Sequence, residues 1–430
     1  MAELQRHLGL FHTVMYGVGL ILGAGIYALI GDAAGEAGNS LWLSFILAAT
    51  AAVFTGLSYA ELSAMYPKAA AEYSYVKNAF KSNFVAFIVG WLTLFVAIIS
   101  ASAIALGFGG YFTELFGIPI VLAAVLAIIG LSFLNFFGIR ESSSINIIFT
   151  IIEAAGLALV IWLGFAISGN VQVDYFDMPF GFSGILSAFT LVFFAYIGFE
   201  NIANIAEEIK NPKKVLPRAI ILSISITAII YILVSVSAVR ILSWHELDSS
   251  VAPLADVVKK ALGQEWHLVI LFIALFATIN TVLIMLVSGS RILYGIARDN
   301  SLPSIFGTIH QKRKTPWIAI IVIGVLSTVF IFAGDISTVA NISVFAIIMV
   351  FILINFSLIW LRFKEPNVER PFKVPLNVKK FPVLPALGII TPILGVIQFD
   401  SYIILMGVGV VASGVVFYFL YNKIIKQKSR

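Results

Sequence analysis

The stretch GVGLILGAGIYALIGD, residues 17–32, decides how the rest of the chain is read. It is apolar enough to lie in a bilayer, yet it holds Gly17, Gly19, Gly23, Gly25 and Gly31. Inside a helix each glycine costs about 1 kcal/mol relative to alanine. A membrane span tolerates unwound backbone only where that backbone is buried in protein or lines a wet cavity. The expectation is therefore a span that breaks near Gly23, Ala24 and Gly25. The half-helix that follows presents a positive N-terminal end, a natural seat for a carboxylate or phosphate. The competing reading is close helix packing through Gly19-x-x-x-Gly23.

Composition sets the class. Of the 430 residues 60% are hydrophobic and 11% are charged, against about 25% charged in a soluble domain. This is an all-α polytopic membrane protein. There is no cysteine, which excludes disulfides, thiolate metal sites and cysteine nucleophiles. The five histidines have no ligand spacing. No GxxxxGK[ST] loop supports direct ATP drive, and no Ser/His/Asp constellation points to an enzyme. No metal or cofactor is expected. The polar N-terminus MAELQRHLGLFHTV shows no signal-peptide cleavage site, so the first span is expected to be retained.

A span needs about 20 mostly apolar residues. Twelve are expected, at 11–31, 41–66, 84–112, 118–139, 143–168, 181–206, 217–239, 266–291, 316–333, 336–361, 384–399 and 401–421. Lysine and arginine collect on the cytoplasmic side. With the N-terminus inside, only Arg240, Lys259 and Lys260 of the 27 basic residues fall outside. Arg140, Lys210, Lys213, Lys214, Lys312, Arg313, Lys314, Lys379 and Lys380 are among those inside. Both termini are thus expected in the cytoplasm. The net charge of +5 is a topology signal, and no soluble basic domain is present to bind nucleic acid. Residues 240–265 read as short outer helices around Pro253, either capping a vestibule or lying as a solvated loop. Residues 362–383 read as an extended basic linker on lipid headgroups.

Ten spans before that linker and two after it suggest a five-plus-five inverted repeat (repeats 11–168 and 181–361) with two appended helices in 384–430. In such transporters the first helix of each repeat is discontinuous. The sixth span, GFSGILSAFTLVFFAYIGFENIANIAEEIKNP (181–212), does lose its apolar pattern halfway, at residues 195–200. Unwinding there would free carbonyls for an ammonium group. A carboxylate-binding break facing an amine-binding break suits a zwitterionic amino acid, with Phe194 and Phe199 as candidate lids.

Three acids lie within spans, where an ionisable group is a functional hypothesis by default. Glu153 is far from either surface and is read as a proton carrier, or as a neutral acid bonded to a neighbouring helix. Glu200 lines the inward path or pairs with a cytoplasmic cation. Glu61 is expected to be an interfacial anchor. Thr278, Asn280 and Thr281 are read as interhelical glue, with Na⁺ ligation as the alternative.

Four stretches resemble the amino acid–polyamine–organocation transporters: GLILGAGIYALIG (19–31), YAELSAMYPKAAAEYSYVKNAF (59–80), FFAYIGFENIANIAEEIKNPKKVLPRAI (193–220) and SRILYGIARDNSLP (290–303). RPFKVPL (370–376) and PVLPALG (382–388) add to them. The resemblance covers the whole chain and is nearest the cationic amino acid transporter branch. It implies the five-plus-five fold with two further helices. It implies that Gly23, Ala24 and Gly25 take the substrate carboxylate, that carbonyls of Ile21, Phe194 and Ile197 take its amino group, that Phe194 is an aromatic gate and that Glu200 lies on the pathway. Two positions depart from the pattern. Ala24 removes a side-chain hydroxyl from the carboxylate site, and Glu153 stands where several relatives carry lysine.

The expected function is secondary active amino acid transport across the cell membrane by alternating access, either proton-coupled or exchanging. The alternatives are a non-transporting sensor, or a Na⁺-coupled or polyamine transporter of the same fold. The expected partners are a small amino acid, the lipid bilayer and a proton or Na⁺.

Overall fold

The structure, a computed structural model, describes residues 8–68, 71–137, 143–166, 172–299, 301–313 and 315–428. Arg140 and Lys314, counted above among the topology-setting cations, and the last two residues of the basic tail lie outside the described residues. In chain order the helices are α1 (Leu10–Leu22), α2 (Ala24–Ala37), α3 (Leu41–Met65), α4 (Ala71–Phe80), α5 (Asn83–Phe116), α6 (Ile120–Phe137), α7 (Ser143–Ala166), α8 (Gly181–Phe194), α9 (Asn201–Asn204), α10 (Pro212–Ile241), α11 (Trp244–Asp248), α12 (Pro253–Leu262), α13 (Gln264–Arg298), α14 (Trp317–Ile331), α15 (Ile336–Lys364), α16 (Val383–Val396) and α17 (Ser401–Lys428). Two short strands, β1 (Asn377–Val378) and β2 (Phe381–Pro382), lie between α15 and α16.

Among the described residues, eight helical stretches are long and apolar enough to cross a membrane. One of them, Leu10–Met65, is a single 56-residue run, and α8, α14 and α16 are shorter apolar helices. Large apolar side chains point outward along α6 (Leu126, Ile129, Phe133) and α17 (Leu405, Val416, Phe419). Such surfaces are stable only against lipid. This is a multi-pass membrane protein.

Two packing groups make up the interior. Helices α1, α2, α3, α8 and α10 pack chiefly on one another, and α5 packs on α6, α13, α14 and α15. Small residues set the close approaches. A Cβ on Gly56 of α3 would meet Ile224 of α10 at 2.4 Å.

The segment 240–265 is packed against the protein and is not a solvated loop. Pro253 sits at the start of α12, and Leu247, Leu254, Val257 and Val258 are fully buried. Ser243 and Glu246 form a capping box at α11, which satisfies two backbone donors reciprocally. The Lys260 ammonium, followed by the Ser243 backbone amide, pushes the Glu246 carboxyl down to about 2.

The linker between α15 and α16 brings a correction. Glu61 is no interfacial anchor: it is completely buried between two guanidinium groups. Arg362 Nη2 lies 2.6 Å from its Oε2 and Arg370 Nε lies 3.1 Å from its Oε1. The amide of Val374 also donates to Oε2, at 2.8 Å. Arg370 further donates to the carbonyls of Leu361 and Glu365, closing the end of α15. Residues 370–374 are therefore strapped to α3 rather than lying free on headgroups. The sequence hides this because Glu61 and its partners are about 300 residues apart.

Removing one member of a buried ion cluster leaves uncompensated charge, which costs roughly 3–5 kcal/mol. Glu61→Gln strands two guanidinium groups and is expected to lower unfolding stability by that order in detergent. Arg370→Gln leaves a one-to-one pair and should cost clearly less. Denaturant titration of both variants checks the ranking.

Candidate functional site

The first interruption sits at Gly23, whose φ of −42° and ψ of −145° end α1 and start α2. The first amides of a helix have no intrahelical acceptor, so α2 begins with donors that need partners. One is supplied by α13. The amide of Ala24 donates to Thr281 Oγ1 at 3.3 Å, and that hydroxyl donates in turn to the Ala277 carbonyl at 2.9 Å. A Cβ on Gly23 would lie 2.4 Å from the same oxygen.

The second interruption follows Phe194. The amides of Ala195, Tyr196 and Ile197 make only short-range bonds, to the carbonyls of Val192, Phe193 and Phe194. Gly198 then adopts φ +134°, a region open to glycine alone without strain. The Glu200 carboxylate folds back on this turn, accepting from the Gly198 amide at 2.8 Å and from Asn201 Nδ2 at 3.0 Å. Among the described residues Glu200 has no basic partner. It holds the break in shape.

The two interruptions touch. A Cβ on Gly25 would lie 2.5 Å from Ala195 Cα. One hydroxyl bridges both: Tyr231 Oη of α10 contacts the Ile21 carbonyl at the first break and the Ala195 carbonyl, 3.2 Å away, at the second. Its single proton serves one acceptor at a time. The two broken segments are also joined away from the breaks, because Leu8 exchanges backbone bonds with Glu208 (3.1 Å) and Lys210 (2.8 Å).

A small cavity of about 10 Å³ lies at this junction, about the space one water needs. Ile21, Ala24, Gly25, Phe194 and Ile197, all anticipated, line it. Its other wall is Ser100 and Ile104 from α5 and Thr281 and Met285 from α13. The cavity thus lies on the boundary between the two packing groups. Apart from the hydroxyls of Ser100 and Thr281, its lining side chains are apolar, and none is charged.

Four anticipated residues do not line it: Gly23 stands at the first break itself, and three lie elsewhere. Phe199 is buried in an aromatic cluster, 5.7 Å from the Tyr59 ring and 5.3 Å from that of Phe351. Glu200 belongs to the turn. Glu153 sits on α7 behind the junction, 2% exposed, and its main-chain carbonyl accepts from Tyr27 Oη at 2.9 Å. Neither of its carboxyl oxygens has a hydrogen-bond partner among the described residues. The neighbouring-helix bond expected of a neutral structural acid is not there.

Tyr231 was missed, and Thr281 was read as glue. The available signal for Tyr231 was its standing as the sole tyrosine of its span.

The amino acid permease family matches residues 8–424. The chain belongs to this family. The permease is 31% identical to the branched-chain amino acid permease BcaP of Bacillus subtilis, over 98% of this chain and 94% of that one. It is 29% identical to the methylthioribose transporter of the same organism, with the same coverage. It is 31% identical to cationic amino acid transporter 4 of Mus musculus, over 85% of this chain and 61% of that one. The resemblance seen in the motifs is therefore confirmed at family level.

Two outcomes follow from the permease's geometry. Gly25→Ala drives a methyl into Ala195 backbone, so it is expected to cost about 1–3 kcal/mol of stability as well as ligand binding. Tyr231→Phe removes the bridging hydroxyl without changing ring packing. It should leave the fold intact by thermal melting and lower ligand affinity measurably in a binding titration.

Proposed function

We propose that the permease is a secondary active transporter of neutral amino acids with aliphatic side chains, working by alternating access. The carrying observation is the cavity at the meeting of two backbone breaks, with apolar side chains around it. The α2 N-terminus at Gly23, Ala24 and Gly25 receives the substrate carboxylate. Carbonyls of Ile21, Phe194 and Ile197 receive the amino group. Phe194 closes over the bound molecule, and Phe199 and Glu200 control the route beyond it.

A 56-residue run is about 84 Å of helix at 1.5 Å per residue, far more than a hydrocarbon core of about 30 Å. Counting Leu10–Met65 as two crossings, and α8, α14 and α16 as one each, gives twelve. Ten form the repeated core of residues 1–361, the basic linker 362–383 follows, and two helices complete residues 384–430. The protein resides in the cell membrane with both termini cytoplasmic. The cavity is too small for an amino acid, and substrate enters when the packing groups separate on one side or the other.

Glu153 is the proposed coupling group. A buried carboxyl without a hydrogen-bond partner is costly while ionised, which favours cycling between proton-bound and briefly exposed forms. Uptake of radiolabelled leucine, isoleucine, valine and lysine into proteoliposomes tests the reading. Leucine-type substrates should accumulate under an inward proton gradient, and lysine should not. Silence for every aliphatic substrate, in uptake and in exchange, would sink it. Glu153→Gln should abolish gradient-driven uptake while binding persists. Unchanged gradient dependence would remove Glu153 from coupling, and loss of uptake when Na⁺ is replaced by choline would assign Na⁺ instead.

A further inference from the structure

Strands β1 and β2 form an antiparallel hairpin in which Val378 pairs with Phe381 and Asn377 with Pro382. Lys379 and Lys380 make its two-residue turn. We propose that this hairpin is a docking element for the anionic lipid headgroups of the adjacent leaflet.

Position is the first ground. α15 ends at Lys364 and α16 starts at Val383, so the hairpin lies where two apolar helices leave the bilayer. It is held rigidly there. Asn377 Nδ2 donates to the Val374 carbonyl at 2.7 Å, and Val374 is bound through its amide to buried Glu61. The Val383 amide donates to the Leu376 carbonyl at 3.0 Å.

Facing is the second. Directly opposed residues of a ladder share one side of it, and the sides alternate along each strand. Pro382 is buried, so the Asn377–Pro382 side looks towards the protein. Val378 and Phe381 therefore look away, 65% and 39% exposed, beside Leu376 at 66%. A water-facing loop gains nothing by presenting three large apolar side chains.

Charge is the third. Lys364, Lys373, Lys379 and Lys380 are exposed around this apolar face, with Glu369 as the exposed acid. Apolar groups flanked by ammonium groups on flexible stems are the composition of an interfacial anchor. A cluster of lysines beside a membrane helix is drawn to acidic lipid. Leu376 and Lys379 also adopt φ of +56°, an unfavourable conformation for such residues that persists only where surroundings impose it.

The protein contains no cysteine, so Val378→Cys gives a single labelling site for an environment-sensitive dye. The labelled protein is reconstituted into phosphatidylcholine vesicles, with or without phosphatidylglycerol. Lipids bearing a nitroxide near the headgroup should quench the dye several-fold more strongly when phosphatidylglycerol is present. That gain should vanish in high salt and in the Lys379→Gln/Lys380→Gln variant. Quenching by aqueous iodide as effective as for free dye, in both compositions, would overturn the proposal and indicate a water- or protein-facing loop. Lipid quenching independent of phosphatidylglycerol would overturn it too. No transport is measured, so this outcome is separate from that of the proposed function.

Discussion

Backbone polar groups within a bilayer must find partners inside the protein, and the permease interrupts two spans at the same place. An unsatisfied buried group costs about 1–3 kcal/mol, so the interruptions demand dedicated partners. They have them. Thr281 takes the Ala24 amide, Tyr231 serves the carbonyls of Ile21 and Ala195, and Glu200 takes the Gly198 amide. These side chains come from α13, from α10 and from the second break itself. The surrounding helices are thereby tied to the breaks, and the junction acquires a defined geometry instead of a frayed one.

The same contacts define what can move together. Tyr231 links the breaks at mid-chain, Leu8 joins their far ends through paired backbone bonds, and Gly25 lies directly on Ala195. α1, α2, α8 and α10 therefore share restraints that a relative tilt among them would break. Beside the breaks α2 is also tied to the opposite group, by the Ala24 amide on Thr281 Oγ1 and by Tyr111 Oη of α5, which donates to the Tyr27 carbonyl at 2.6 Å. A cavity that holds about one water must open for any amino acid to bind. Under the proposed cycle, opening along that boundary breaks these two bonds and separates apolar side chains. Closely packed interiors favour discrete rearrangements of this kind over continuous deformation.

The breaks were legible in the sequence because their cause is local. Glycine at 23 and 25, and the Tyr196–Glu200 run with Gly198, disturb an otherwise apolar pattern within a few residues. The short helices of 240–265 were legible in the same way, through Pro253, whereas their packing was left open between a cap and a solvated loop. The partners of the breaks were not. Thr281 reaches Ala24 across 257 positions and Tyr231 reaches Ile21 across 210. Each looks like an ordinary polar residue on an apolar helix until the fold places it. Glu61 failed for the same reason: its distance from the helix end suggested an interface, whereas burial is decided by the returning strap at 370–374. Glu200 was singled out correctly as unusual, but its partner is the amide two residues before it.

The division of labour within the cavity bears on substrate choice. Backbone amides and carbonyls recognise only the ends shared by all amino acids, and any sequence can supply them. Under the proposed reading, discrimination between side chains falls to Ile104, Met285, Ser100 and Thr281 on the opposite wall. Ser100 is already bonded to Ser343 at 2.7 Å, and Thr281 is engaged with Ala24 and Ala277. A lysine or arginine side chain entering here would leave water without a counter-charge, an expensive transfer. Glu153 and Glu200 are the nearest acids the sequence suggested, and neither lines the cavity. Relatives named for branched-chain and for cationic amino acids match this chain at the same 31% identity. Overall identity therefore does not separate the two substrate classes. The proposed preference for an aliphatic side chain rests on the uncharged lining of the cavity, where the absence of charge is a gain rather than a cost for such a side chain.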